Sequence, residues 1–407
     1  MKKGWQIKTL GEVCSFLNRG VSPKYVEKGG IAVLNQRCVR DHRVSFEVGR
    51  RHDVKAKSVS NERLLQAGDV LVNSTGTGTL GRVAQLRDSP PEPTTVDSHV
   101  TIVRPSPGLF FQEFFGYMLR DIEDELKESG EGCGGQTELN RSVLAEKFVV
   151  RFPQSLAEQQ RIVGLLDEAF AGLATAKANA EKNLQNTRAL FESHLQSVFT
   201  QRGPGWVETT LEKVLATQPQ NGWSPPAENH SASGTPVLTL SSVTGFRFRP
   251  DKRKFTSAAT DSKKKYWVKN GDLLITRSNT PELVGHVAIA SGIEKPTIYP
   301  DLIMRMNPMP DSALTEFLYY HLRTPALRTE IMGRAQGANP TMKKISNGAV
   351  KTLPIAVPPI ATQQAIVETL NDLSEETQRL ARLYEQKLAA LEALKKSLLH
   401  QAFTGAL

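Results

Sequence analysis

Gln159-Gln160 with Ile162-Val163 returns 204 residues later as Gln363-Gln364 with Ile366-Val367, and each copy opens the same kind of segment. Prolines precede both, Pro153 and Pro358-Pro359, a residue tolerated at a helix start and restrictive of its predecessor. No further proline follows until Pro204 in the first copy, and none follows in the second. Apolar or small residues then recur at Ile162, Leu166, Ala169, Leu173, Ala176, Ala180, Leu184, Thr187, Phe191, Leu195 and Val198, which is the α-helical period. The same positions 204 residues on are Ile366, Leu370, Leu373, Thr377, Leu380, Tyr384, Leu388, Leu391, Lys395, Leu399 and Ala402, nine of the eleven apolar. Two helices of ~40 residues are predicted, each about 60 Å long. A stripe of that length needs a partner, and the other copy supplies it.

Working outward, Trp5 with Leu10-Gly11-Glu12-Val13 returns as Trp206 with Leu211-Glu212-Lys213-Val214. Gly68-Asp69-Val70-Leu71 returns as Gly271-Asp272-Leu273-Leu274, and the segment Glu113 to Arg120 as Glu316 to Arg323. Phe199-Thr200 returns as Phe403-Thr404. Order is kept while the shift drifts only from 201 to 204, the mark of a duplication with small loop changes. The leading ~150 residues of each copy are rich in Gly, Pro, Ser and Thr, with short strand-like runs such as Val70 to Val72, His99 to Val103, Phe148 to Val150, Leu273 to Ile275 and Asp301 to Met306. Phe114 to Leu119 and Phe317 to Leu322 read as short helices. The expected fold class is α+β: two tandem mixed α/β domains, 1–152 and 203–357, separated by long α-helices at 153–202 and 358–407. The helices are expected to pair as an antiparallel coiled coil in a pseudo-twofold dumbbell. Leu399 to Thr404 matches Leu195 to Thr200, so the last segment is expected beside the chain's own beginning.

At 407 residues the chain exceeds one ordinary core. Hydrophobic residues are 39% and charged residues 23%, a globular composition, and no apolar run approaches the ~20 residues of a membrane helix. Met1-Lys2-Lys3-Gly4-Trp5 leads into no apolar stretch, which argues against a secretory signal and for a cytoplasmic protein. Cys14, Cys38 and Cys133 are odd in number and far apart, fitting free thiols better than disulfides or a zinc site. A net charge of +9 favours an anionic partner, nucleic acid first. Arg249, Lys252, Arg253, Lys254, Lys263, Lys264 and Lys265 crowd one segment of the second half; Arg37, Arg40, Arg43, Arg50 and Arg51 crowd the comparable part of the first.

Catalytic motifs fail inspection. Gly76 to Val83 resembles a GxxxxGK[ST] phosphate loop but has Arg82 for the lysine and Val83 for the hydroxyl. Its copy, Ser278 to Gly285, loses the glycine spacing. Amino-group methylation of DNA would need an Asp/Asn/Ser-Pro-Pro-aromatic motif, and neither Ser89-Pro90-Pro91-Glu92 nor Ser224-Pro225-Pro226-Ala227 has the aromatic. Pro250-Asp251 with Asp261-Ser262-Lys263 mimics a nuclease triad in one copy only. The histidines show no metal spacing.

On these residues the chain resembles the specificity (S) subunits of type I restriction–modification systems. Gly68-Asp69-Val70-Leu71 with the loop to Gly81 is similar to the motif of their target recognition domains. Pro153 to Leu156, Glu158-Gln159, Ile162-Val163 and Leu166-Asp167 are similar to the start of their central helix; the second copy has Thr362 and Asn371 at two of these positions. The resemblance covers essentially the whole chain. It implies a non-catalytic subunit whose two domains each read one half of a bipartite target in double-stranded DNA. The helices would serve as a ruler and as the dock for two methyltransferase (M) subunits, with two restriction (R) subunits completing the complex. S-adenosylmethionine would reside on M, and ATP and magnesium on R; this chain would hold no cofactor and no metal. Base reading calls for Arg, Asn, Gln, Ser or Thr at base edges and Lys or Arg at phosphates. The candidates are Gln36, Arg37, Asn73, Ser74, Thr75 and Thr77 in the first domain, and Arg277, Ser278, Asn279 and Thr280 in the second. Lys252, Arg253, Lys254, Lys263, Lys264 and Lys265 are assigned to phosphates. The two domains share little loop sequence, so an asymmetric target is expected. A fused DNA methyltransferase and a stand-alone, repressor-like DNA-binding protein are the rival readings.

Overall fold

The structure, a computed structural model, describes residues 4–130, 137–339 and 341–407; residues 1–3 and Cys133 lie outside them. Two compact units divide the chain, the first joining Met1–Glu181 to Gln386–Leu407 and the second spanning Lys182–Glu385. Both cuts fall inside long helices, Leu156–Thr200 and Ile360–Thr404, of 45 residues each. Each unit therefore contains the first part of one helix and the last part of the other.

In the first unit the two helical segments run antiparallel. Arg161 reaches the Leu407 carbonyl, and sixteen residues on, Lys177 Nζ meets Glu392 at 2.7 Å. All stripe positions predicted on both helices are buried or half-buried. Polar stripe members are accommodated locally. Thr187 and Thr377 each return the hydroxyl to the carbonyl four residues back, Asn183 at 2.8 Å and Leu373 at 2.7 Å, so no buried donor is left unmet. Lys395 lays its stem along the stripe and holds its ammonium 5.6 Å from the Phe170 ring centroid.

The first core gathers Trp5, Leu10, Phe114, Phe152, Ile162 and Leu166 with Leu399, Ala402 and Phe403. The expectation that the last segment lies beside the chain's beginning is met, with the Phe114 and Phe403 rings 5.1 Å apart. In the second core Phe191, Leu195 and Phe199 play that part against Leu211, Phe317 and Leu370, Phe199 lying 5.3 Å from Phe317.

Among the described residues each unit carries four sheets, three of which match in order. The short pair Trp5–Thr9 with Val149–Pro153 corresponds to Val207–Thr210 with Pro354–Val357, both antiparallel. The central sheet runs Cys14–Arg19, Val100–Pro105, Val70–Asn73, Val83–Gln85 in one unit and Gln220–Asn221, Ile303–Arg305, Leu273–Thr276, Val287–Ile289 in the other. A third sheet has four strands in the first unit and five in the second, each with one parallel pair. The strands and short helices read from sequence fall in these elements, the helices being Gln112–Asp121 and Thr315–Arg323.

The glutamine shared by the two repeats is a clamp. Gln159 is fully buried; its amide donates to the Leu109 and Pro153 carbonyls and accepts from the Phe111 N–H at 2.7 Å. Gln363 repeats this with Ser312, Pro358 and the Leu314 N–H. Four residues past Ile162-Val163, the Tyr117 hydroxyl donates to Asp167, and the Tyr320 hydroxyl to Asn371 at 2.6 Å. Asn371 thus keeps an acceptor oxygen where the first copy has a carboxylate. Among the described residues no helix is long and apolar enough to cross a membrane, and no group of His, Cys, Asp and Glu could hold a metal ion.

Candidate nucleic-acid interface

The Gly-Asp motif builds the frame of the interface and stays out of its surface. Gly68 and Gly271 have φ of 90° and 91°, a conformation that disfavours any side chain. The following aspartate is buried and caps the turn: Asp69 accepts from the Gln66 N–H at 2.8 Å, Asp272 from the Lys269 N–H at 2.7 Å. Arg104 closes on Asp69 with two bonds of 2.7 and 2.8 Å. Arg305 lies 3.4 Å from Asp272, whose other oxygen accepts from Asn307 at 2.6 Å.

This turn launches the central strands Val70–Asn73 and Leu273–Thr276, which end in loops held by one set of backbone bonds. Gly81 donates to Asn73 and Gly285 to Thr276, both at 2.8 Å. Ser74 donates to His99 while its carbonyl accepts from Leu139; Arg277 donates to Leu302 while its carbonyl accepts from Ile345. The loop from Gly76 to Gly81 leads into the strand Val83–Gln85 rather than a helix, so its glycines shape a hairpin and not a nucleotide cradle.

Inside these equal frames the side chains differ. In the first unit Asn73 and Ser74 are fully buried, which corrects their placement among surface readers. Asn73 Nδ2 donates to the Gln36 carbonyl at 3.0 Å, its Oδ1 meeting no donor among the described residues, and the Ser74 and Thr101 hydroxyls hydrogen-bond at 2.5 Å, so both residues help hold the loop. Gln36 is brought against the loop by Thr79, whose hydroxyl donates to its Oε1 at 2.9 Å. Thr75 bonds His99 Nδ1 at 2.7 Å, Thr77 is exposed at the loop tip, and Arg37 is exposed one residue from Gln36. Across the loop Thr75 bridges Glu138, which Arg19 neutralises at 2.8 Å.

The second unit is more basic here. Arg277 is half-buried, and its Nε finds no acceptor among the described residues. Ser278 is buried and therefore also belongs to the frame. Ser278 and Asn279 pair as a strand with Lys344 and Lys343. Asn279 donates to Thr244 at 3.3 Å and accepts from the Thr280 N–H. Lys252 reaches this neighbourhood through its carbonyl, which accepts from the Thr239 and Ser242 hydroxyls on the turn before Thr244. Arg253 and Lys254 are exposed on the strand Arg253–Thr256. Lys263, Lys264 and Lys265 are exposed on a separate turn capped by Asp261, beside the stacked Trp223 and Tyr266 rings. In the first half Arg51 is taken up by Glu92 at 2.8 Å and Arg50 by the Tyr25 ring at 3.5 Å.

Sequence reasoning missed Lys343, Lys344, His99 and Glu138. The Lys-Lys pair was a visible signal, but only strand pairing between segments far apart in the chain brings it to Asn279.

Comparison with known proteins supplies the context for these paired frames. Residues 2–184 and 204–392 match the family described as Type I restriction modification DNA specificity domain. The type I restriction enzyme EcoKI specificity subunit of Escherichia coli K12 is 25% identical over 320 residues, covering 75% of this chain and 68% of that one. The putative MjaX specificity subunit of Methanocaldococcus jannaschii is 21% identical over 418 residues, covering 98% and 93%. A solved chain from work on complex assembly and conformational transition of the type I R-M system superposes with a TM-score of 0.79 at 19% identity, covering 100% of this chain and 99% of its own. The HsdS subunit of Thermoanaerobacter tengcongensis gives 0.63 at 20%, covering 100% and 98%. With two copies of the family's domain in tandem, this chain belongs to the DNA specificity subunits of type I restriction–modification systems.

Proposed function

We propose that the chain reads an asymmetric, bipartite sequence in double-stranded DNA, one half-site per globular domain. The observation that carries this reading is the pair of loops after Asn73 and Thr276, held by the same backbone bonds but filled with different side chains. Equal frames place the loops alike; unlike side chains ask for different bases. The gap between half-sites follows from the length of the two 45-residue helices, since a linked second reader gains effective concentration only at a spacing it can span. The same helices dock two methyltransferase subunits, and two restriction subunits complete the assembly. S-adenosylmethionine belongs to the former, ATP and magnesium to the latter. The chain works in the cytoplasm, holds no cofactor and catalyses nothing alone.

The test is to map methylated adenines in a host expressing this chain with its methyltransferase subunit. One motif with two unlike halves and a fixed gap is expected. A continuous or palindromic motif overturns the reading. Removing ~4 residues from both helices should alter the gap and leave both half-sites intact.

A further inference from the structure

Below the first short helix the two units part company. Arg120 and Arg323 are equivalent residues in the last turns of Gln112–Asp121 and Thr315–Arg323. Arg323 is enclosed: Phe191 and Phe246 each stand 5.1 Å away, Tyr319 accepts a bond of 2.8 Å, and Glu192 lies at 3.7 Å. In the first unit, the residues 204 positions from Phe191 and Glu192 are Lys395 and Lys396, and the counterpart of Phe246 is His42. His42 and Phe246 share a φ of 58°, so the imidazole and the ring stand at equivalent left-handed positions of the two copies. His42 turns away to Glu123 at 2.9 Å, and Lys396 to Asp124 at 2.8 Å.

Where Phe191 and Phe246 close around the second unit's arginine, the first holds a cavity of about 620 Å³ lined by Arg43, Arg87, Arg120 and Lys395, with Tyr117 and Phe170, whose rings lie 4.9 and 5.5 Å from the Arg120 guanidinium, in its wall. Arg87 stands where the second unit has Ser291, and it lies 3.9 Å from Asp167, the limit of an ion pair. Arg43, Arg120 and Lys395 form no ion pair within 4 Å among the described residues, Glu123 acting on Arg120 and Glu392 on Lys395 only from farther off. Burial draws the Arg120 pKa below the usual arginine range, against the opposing pull of Tyr117 and Glu123. Asp41 and Asp88 also line the space, and Asp41 already lies 3.7 Å from Arg40. Lys395 is also the residue that interrupts the apolar stripe of the second long helix, a break that helix packing does not require.

We propose that this cavity is a phosphate-binding site peculiar to the first unit. Three arginines and a lysine line one space, and the planar fork of arginine matches phosphate oxygens. The volume lies in the range of small-ligand sites. The cavity opens at the Gln85 end of the hairpin whose other end carries the Ser74 to Leu80 loop, so it is separate from the base-reading surface. The phosphate belongs either to a free nucleotide or to the DNA backbone.

Equilibrium dialysis of labelled pyrophosphate against the full chain tests the site. Saturable binding is expected, weakened at least tenfold in Lys395→Phe/Arg87→Ser, which restores the second unit's residues, and in the milder Lys395→Gln. Thermal melts of each variant check folding. If duplex DNA competes with pyrophosphate and the double variant flattens the salt dependence of DNA binding by one to two charges, the phosphate is the DNA's. If DNA neither competes nor changes slope, the ligand is free phosphate or nucleotide. Absence of pyrophosphate binding, or binding indifferent to both folded variants, overturns the proposal.

Discussion

Ser74 and Arg277 hold the same place in two frames, yet one is sealed beneath Thr101 and the other carries a guanidinium whose Nε has no acceptor. The strand opposite shows the same contrast: Thr75 faces Glu138, already neutralised by Arg19, while Ser278 faces Lys344. Backbone hydrogen bonds and the buried aspartate recur in both copies, because each is an obligation of the fold. Side chains beyond that frame are under no such obligation. Divergence therefore concentrates where the frame leaves a side chain unpartnered, and this is where two readers can acquire different specificities.

The largest effect should come from attacking the frame where the copies differ in strength. Asp69→Ala removes the fully buried carboxylate, leaves the half-buried Arg104 with only the Glu62 and Leu64 carbonyls, and should destabilise the chain by about 3–5 kcal/mol. Asp272→Ala loses a looser arginine contact and an amide, and should cost about half as much in urea unfolding. Equal losses would show that the two turns carry equal weight.

Acid sensitivity should also separate the units. His321 is buried against Phe199, its pKa drawn down to about 3 by burial, and His286 is held at about 4 by burial and by nearby Arg328. The unfolded chain takes up these protons below the ordinary histidine pKa, near 6.5, while the native state refuses them, so stability falls as pH drops from about 6.5 towards 4. The first unit has Met118 in place of His321. His321→Met should recover about 2–3 kcal/mol at pH 4 and little at pH 7, measured by unfolding at both pH values. A recovery independent of pH would assign the effect to packing alone.

At the loops, Arg277→Gln should weaken discrimination at one half-site by about 1–3 kcal/mol, and Ser74→Ala should leave base preference at the other unchanged. Binding to duplexes altered one base at a time reads both. Last, Asn371→Asp copies the first unit's acceptor for tyrosine and should shift stability by less than about 0.5 kcal/mol.

What could be read before the structure follows the same division. The helix stripe was legible because burial along a helix repeats with the chain itself, and Gln159 and Gln363 were visible as repeats, though their clamping role depends on carbonyls some 50 residues away. Asn73 and Ser74 looked like base readers because a polar loop and a polar wall have the same composition. Lys343 and Lys344 escaped notice because their place beside Asn279 is set by strand pairing. Lys395 was seen to break the stripe, but its meaning required the comparison with Phe191.

One feature of the division into cores bears on how the molecule is made. The second core draws on the continuous stretch Lys182–Glu385, whereas the first needs Gln386–Leu407 to supply Leu399, Ala402 and Phe403. During synthesis at about 5–20 residues per second, the domain translated first is thus the one that finishes last. A ribosome must carry an open hydrophobic cleft around Trp5 and Phe114 through some two hundred further residues before Phe403 arrives to close it. That interval is when the nascent chain is most exposed to chaperones and to other copies of itself.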